Sequence, residues 1–457
     1  MLMLSVCCMF YAKTGKELIT DNSFKSSVKP MLKTHWSQDG GENSMLPLDN
    51  NGVHVKTGCG ATALAQLLCY WKNPKHGCGN NFYYWKELSG LEQVLFADFQ
   101  HTSYDWDNMI PCYKNNASAT QKQVDAVSTL MLQIGIALEM KYSKDDDNKT
   151  PTNIEYIHTV LKKYFGYNKY SRLVRYANGA YTMDEWLTMI YKELSEGRPV
   201  LMGGSWNGYN HLFIADGYDE EGKVHLNLGH ANENEDKYYD LTQTGQTYTN
   251  DMRMIIEICP SELKESLSVV NVNTPGTLVD QLGGEMKSRR ICRLKVIGTI
   301  NNTDINWLKN LSGMTNGQLS YIDLSDCDIQ GNSLPESAFD GCYTLQEIIL
   351  PNSLSTIETK AFRECLGLWK VHLPQELKTI GNYAFSNCRY WSEVSLPSSL
   401  QSIGNNPFRY DKFDSFEIDD NNPNFKVVNH ALLSKNGKQL LSMQYKNLRR
   451  ILYSRWS

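Results

Sequence analysis

The chain of 457 residues carries 45 lysines and arginines against 50 acidic residues, a net charge of -5 at neutral pH, with no basic block. Such a length predicts two domains, each long enough to bury its own core, and the charge balance excludes the concentrated basic face by which proteins hold nucleic acid. No apolar run approaches about 18 residues, so no membrane-spanning helix is expected.

In chain order, residues 1–12 form an apolar run of secretory-signal length without a basic leading segment. Residues 1–22 are read as a signal remnant and tail, with a buried strand or a misplaced start as the alternatives. A first domain is expected over 23–260. Within it, Thr57-Gly58-Cys59-Gly60-Ala61-Thr62-Ala63-Leu64-Ala65-Gln66 is a small-residue turn feeding a helix, with Leu64, Leu68 and Trp71 at helical spacing. Val124, Val127, Leu130, Met131, Ile134 and Leu138 predict an amphipathic helix within 120–141, and Ile154, Ile157, Leu161 and Phe165 a second over 153–165. Thr182 and Glu185 form a capping box before a third helix that stops at Gly197.

From Pro199 the period changes to two. Residues 200–202, 212–215 and 224–228 read as strands, the last two joined through Asp219-Glu220-Glu221-Gly222. A regular hairpin there sets Ile214 opposite Asn227 and His230 opposite His211. Helices followed by an antiparallel sheet make this domain α+β.

The domain boundary is expected near Cys259-Pro260-Ser261, with a linker over 261–272 inside a second domain of 261–457. Cys342, Cys365 and Cys388 recur every 23 residues, and the Ala-Phe pairs starting at 338, 361 and 384 and the Leu-Pro pairs starting at 350, 373 and 396 keep the same period. This is a solenoid repeat, in which equivalent residues of successive coils stack in one interior. Each Leu-Pro ends a short strand because proline lacks the next ladder donor. The chain has twelve cysteines, but the repeated ones are placed to pack. Residues 294–333 read as a degenerate first coil, and Ser434-Lys435-Asn436-Gly437 as a hairpin turn.

The chemistry concentrates in the first domain. A cysteine attacks as the thiolate, and a helix N-terminus together with an imidazolium are the usual means of raising its acidity. Cys59 opens the helix, and His211 opens an alternating strand 152 positions later. The alternatives are a small core cysteine and a satisfied core histidine. Asn227 reads either as an orienting group for the His211 ring or as a strand-end residue bonding its own backbone. Cys69, His76 and Cys78 fit no standard zinc spacing, and Asp145-Asp146-Asp147-Asn148 lacks the glycine and terminal glutamate of a calcium loop. Phosphate-cradling glycine motifs are absent, so neither cofactor nor metal is expected.

Several motifs in order carry a family resemblance: Val28-Lys29-Pro30-Met31-Leu32-Lys33 with Trp36-Ser37-Gln38, the Cys59 run, Tyr104-Asp105-Trp106-Asp107-Asn108-Met109, and His211-Leu212-Phe213-Ile214-Ala215-Asp216-Gly217-Tyr218. Over about residues 24–245 the chain resembles the streptopain family of papain-like cysteine peptidases. The resemblance implies a papain-like α+β domain, Cys59 as nucleophile, His211 as general base, and Gln38 as an oxyanion-hole donor beside the Cys59 amide; a surface glutamine is the alternative for Gln38. The chain departs from the family where Leu228-Gly229-His230 replaces a Trp-Gly-Trp segment after Asn227, and where Asn210 replaces a glycine before the histidine. The repeats resemble those of BspA-type bacterial surface proteins.

Together these imply a secreted or cell-surface thiol endopeptidase that hydrolyses peptide bonds through an acyl-enzyme. The partners are a protein or peptide substrate and, on the repeats, a host or envelope protein. No inhibitory propeptide precedes residue 24 in this sequence, which leaves control to a separate inhibitor or to a start further upstream. The alternative is a catalytically impaired peptidase fold that serves, with the repeats, in surface adhesion or recognition.

Overall fold

A computed structural model of the protein describes residues 12–49, 51–86, 92–114, 118–142, 153–176, 179–231, 236–243, 248–261, 263, 266–313, 315, 317–409, 415–429 and 431–443. The apolar run up to residue 11 and the acidic cluster at 145–148 lie outside the described residues. The chain divides into two units, Met1–Arg172 with Tyr181–Leu263, and Leu173–Ala180 with Lys264–Ser457.

The first unit is α+β. Its helices Gln121–Ala137 and Met183–Ser195 both open with a capping box, Thr120 with Gln123 and Thr182 with Glu185, in which the threonine hydroxyl and the returning side chain satisfy backbone donors reciprocally. The Ile154–Lys163 helix buries Ile154, Ile157 and Leu161. The Cys59–Trp71 helix is buried on all sides from Gly60 to Leu68, more completely than one apolar stripe implies, because its alanines and glycine let neighbours close in. It packs on the Gln121–Ala137 helix and on the strand Tyr209–Tyr218.

That strand lies between Val200–Trp206 and Val224–Asn227 in an antiparallel sheet, with Lys237–Tyr239 beyond the latter and Asn250–Ile256 beyond the former. Ile214 pairs with Asn227, as a regular hairpin requires, but by compensation. The turn at Asp219 to Gly222 sets Tyr218 against Val224, and a bulge at Asp216 then shifts the register by one. The bulged Asp216 is tied to Nδ1 of His225 at 2.7 Å and to the N–H of Leu32 at 2.9 Å. A separate hairpin, Asn80–Lys86 with Glu92–Asp98, has no counterpart in the periodicity reading.

The second unit is a leucine-rich-repeat solenoid. Short parallel strands Tyr321–Asp323, Glu347–Ile349 and Lys370–His372 stack in register, and so do Ser333–Leu334, Thr356–Ile357, Thr379–Ile380 and Ser402–Ile403. The rings of Phe339, Phe362 and Phe385 form a column with centroids 5.3 and 5.1 Å apart and nearly parallel planes. The coil expected at 294–333 is present: Arg293–Ile300 pairs in parallel with Tyr321–Asp323, and the helix Asn302–Leu311 buries Ile305, Leu308 and Leu311 against it. Ala431–Ser434 and Leu440–Met443 form the hairpin whose turn the Asn-Gly pair signals. No disulfide joins the described cysteines.

Candidate active site

Three segments converge on the start of the Cys59–Trp71 helix. Gly58 caps it at φ 84°, a left-handed conformation that glycine adopts without strain, and Cys59 is the first helical residue. Thr62 secures the turn: its N–H bonds the Gly58 carbonyl at 3.0 Å, and its hydroxyl lies 2.8 Å from that of Thr57. Cys59 keeps some exposed surface, yet crowding around its sulfur pushes the thiol up. Backbone N–H groups of Leu212, Gly60 and Cys59 itself work against that rise. Leu212 follows His211 in the chain, so the strand that carries the imidazole is the one that meets the sulfur.

The Gln38 segment is held at consecutive residues. Trp36 donates its N–H to Oε1 of Gln66 at 3.1 Å and its indole N–H to the Ile110 carbonyl at 2.8 Å. Ser37 donates its N–H to Oε1 of Glu42 at 2.9 Å. The Gln38 carbonyl accepts from the N–H of Thr57, two residues before Cys59, at 3.0 Å. Gln38 itself remains partly exposed.

His211 is buried, 7% exposed, with Nε2 2.8 Å from the Leu228 carbonyl. A carbonyl oxygen only accepts, so Nε2 carries the proton in this contact and the neutral ring has its lone pair on Nδ1. The Asn227 amide is hydrogen-bonded through both its oxygen and its nitrogen. Its Oδ1 accepts from the Gly229 N–H at 3.2 Å and from Gln66 Nε2 at 2.9 Å, and its Nδ2 donates to the Thr34 carbonyl at 2.8 Å. Asn227 thus braces the Gln66 side chain and the approach to Gln38, while a main-chain atom of the next residue receives the imidazole.

The aromatic cover expected to be missing comes from elsewhere. The rings of Tyr248 and His230 each lie 4.8 Å from that of His211, and Phe213 lies at 6.1 Å. Tyr248 reaches this place because Gly204, paired with His211 across the sheet, has no side chain; a β-carbon there would collide with the Tyr248 carbonyl. Sequence reasoning passed over Gln66, Tyr248 and Asp236. Gln66 had a signal, being a polar residue inside an otherwise apolar helix. Among the described residues no group of three or more His, Cys, Asp or Glu is placed to hold a metal; His76 Nδ1 lies 3.1 Å from the Thr102 carbonyl.

Residues 36–239 match the peptidase C10 family, and residues 315–431 match the BspA type leucine rich repeat region in six copies. The chain joins a C10 peptidase-like domain to a BspA-type leucine-rich-repeat domain. The C10-like domain is similar to the thiol protease/hemagglutinin PrtT of Porphyromonas gingivalis, at 29% identity over 52% of this chain and 28% of the relative. It is also similar to streptopain of Streptococcus pyogenes serotype M1, at 29% identity over 48% of this chain and 58% of the relative. Among solved structures, the interpain A cysteine protease of Prevotella intermedia is 31% identical over 51% of this chain and 96% of that one, with a TM-score of 0.46. The chain therefore spans well under two thirds of the length of these two curated relatives. At family level it has a cysteine-protease fold with a separate repeat domain. Among the described residues no helix is long and apolar enough to cross a membrane.

Proposed function

We propose that the C10-like domain is a cysteine endopeptidase, secreted or displayed at the cell surface, whose repeats bind a protein partner such as a host or envelope protein. The observation that carries the reading is the packing of the strand Tyr209–Tyr218, which holds His211, against the helix that Cys59 opens. In the proposed reaction the Cys59 proton passes to Nδ1 of His211 and the sulfur attacks the scissile carbonyl carbon. The oxyanion is held by the Cys59 N–H and the Gln38 side-chain amide, one such donor contributing about 3 kcal/mol to the barrier. The imidazolium then gives its proton to the leaving amine, and a thioester on Cys59 remains. Water, deprotonated by His211, hydrolyses that thioester and restores the thiol.

The test is covalent labelling by an epoxysuccinyl thiol-protease inhibitor under reducing conditions, read by mass spectrometry. Labelling at Cys59 that disappears in Cys59→Ala and falls about 100-fold or more in His211→Ala is expected, since a positioned base contributes about that much. No reaction at Cys59 in the wild-type chain would leave the impaired fold acting as a recognition protein, a reading that Leu228 and His230 in place of tryptophans favours.

A further inference from the structure

The hydrogen bond that receives the His211 ring ends on the main-chain oxygen of Leu228, and the N–H of that same residue is held from eight positions further on. Leu228 accepts from Nε2 of His211 at 2.8 Å, and its own N–H donates to Oδ1 of Asp236 at 2.7 Å. The other carboxylate oxygen of Asp236 lies 3.0 Å from Nδ1 of His35. His35 immediately precedes Trp36 and lies three residues before Gln38, and its N–H is tied to the Pro111 carbonyl at 2.8 Å. The Asp236 side chain is only 2% exposed. One buried carboxylate thus spans the acceptor of the general base and the segment that leads to the oxyanion-hole amide.

We propose that Asp236 is a positioning residue for His211: by holding the Leu228 N–H and the His35 ring at once, it sets the carbonyl on which the Nε2 proton rests. This rests on the reading of Cys59 and His211 as nucleophile and base. The strand ends at Asn227, so Leu228 lies past the last ladder pair and needs another anchor. The Asn227 amide already holds Thr34, Gln66 and Gly229. A carboxylate acceptor makes a bond about twice as strong as a neutral one, which suits a main-chain atom outside the sheet. Fixing Leu228 also fixes the tautomer: with the proton on Nε2, Nδ1 is the nitrogen left to take the thiol proton.

The experiment uses the full chain with nitrogen-15-labelled histidine and two readouts. The first is the tautomer of His211 from its imidazole signals, assigned by His211→Ala and recorded in a Cys59→Ala background at alkaline pH, where no thiolate keeps the ring charged. The second is the alkylation rate of Cys59 by iodoacetamide. The unmodified Asp236 chain is expected to hold the Nε2-protonated tautomer. Asp236→Ala should give mixed tautomers and slow alkylation by about 100-fold, the cost of roughly an ångström of misplacement. Asp236→Asn, which offers Leu228 a weaker neutral acceptor, should slow it by about three- to tenfold. A folded Asp236→Ala with unchanged tautomer and rate overturns the proposal. If the alanine variant does not fold, the asparagine variant decides: wild-type values in both readouts overturn the proposal, and a slower rate with mixed tautomers supports it. An alkylation rate indifferent to His211→Ala sinks the peptidase reading alone, because the tautomer readout still tests what Asp236 holds.

Discussion

Cys59 and the stacked cysteines of the repeats meet atoms of opposite polarity. In the repeats, Cys365 and Cys388 point their sulfurs at the carbonyls of Phe339 and Phe362, at 3.0 and 3.1 Å. A carbonyl only accepts, so these contacts require the thiol to keep its proton. Cys342 makes the same kind of contact with the Lys309 carbonyl at 3.5 Å, and burial pushes its thiol well up. Cys59 is crowded too, but its sulfur faces N–H groups, which favour the thiolate. Burial pushes both kinds of thiol up, and at Cys59, the proposed nucleophile, neighbouring donors offset part of that rise.

The largest expected effect is on the repeat side of this comparison. Phe362 stacks between Phe339 and Phe385 and is fully buried, so Phe362→Ala should cost about 3–5 kcal/mol through lost burial and the cavity left behind. Denaturant unfolding measures the loss. Alkylation of native protein, with Cys59 in the same sample as reference, should show Cys365 and Cys388 becoming reactive as the stack opens. If they already react as fast as Cys59 in the unaltered chain, the distinction between the two kinds of cysteine fails.

At a buried carboxyl, burial outweighs a single strong donor. Glu42 is fully buried; its Oε1 accepts from Ser37, and its Oε2 finds no hydrogen-bond partner among the described residues. Burial pushes its pKa up to about 7, against roughly 4.3 in an unfolded chain. The folded state therefore holds the proton more tightly, and stability falls as pH rises between these values, by about 4 kcal/mol at most, before levelling off. Thermal unfolding at the two ends of this window should show the wild-type chain losing stability relative to Glu42→Gln as pH rises. A pH-independent difference would mean that Ser37 holds an ordinary carboxylate, and the Gln38 segment would then be anchored by charge.

How much of this was legible follows from which atoms carry the structure. The repeat was open to reading because each coil repeats the same side chains at a fixed spacing, and every stacked phenylalanine and cysteine announces its place. Cys59, Gln38 and His211 stood out because side-chain chemistry and chain order both marked them. The acceptor of the His211 proton did not, because a backbone carbonyl has no sequence signature and Leu228 looks like any apolar residue. Asp236 was hidden for a related reason: its partner across the site is a main-chain N–H, which any residue supplies. The bulge at Asp216 was equally silent, and the expected pairing of Ile214 with Asn227 held only because the turn and the bulge offset each other. Tyr248 comes from outside the segments that carry the family motifs.

Tyr248 offers the finest test of what surrounds the base. Its ring lies 4.8 Å from that of His211, 5.6 Å from Phe213 and 6.2 Å from Trp206, so it closes an aromatic wall beside the imidazole. An aromatic pair contributes about 1 kcal/mol beyond its buried area, so Tyr248→Ala should slow inhibitor labelling of Cys59 by about fivefold. Tyr248→Phe should stay within about twofold, because the ring covers the imidazole and the hydroxyl is not needed for that. Equal losses in the two variants would shift the role to the phenol oxygen. No loss in either would mean that His230, on the segment that follows Asn227, shields the base by itself, and a titratable ring would then stand where an indole is expected.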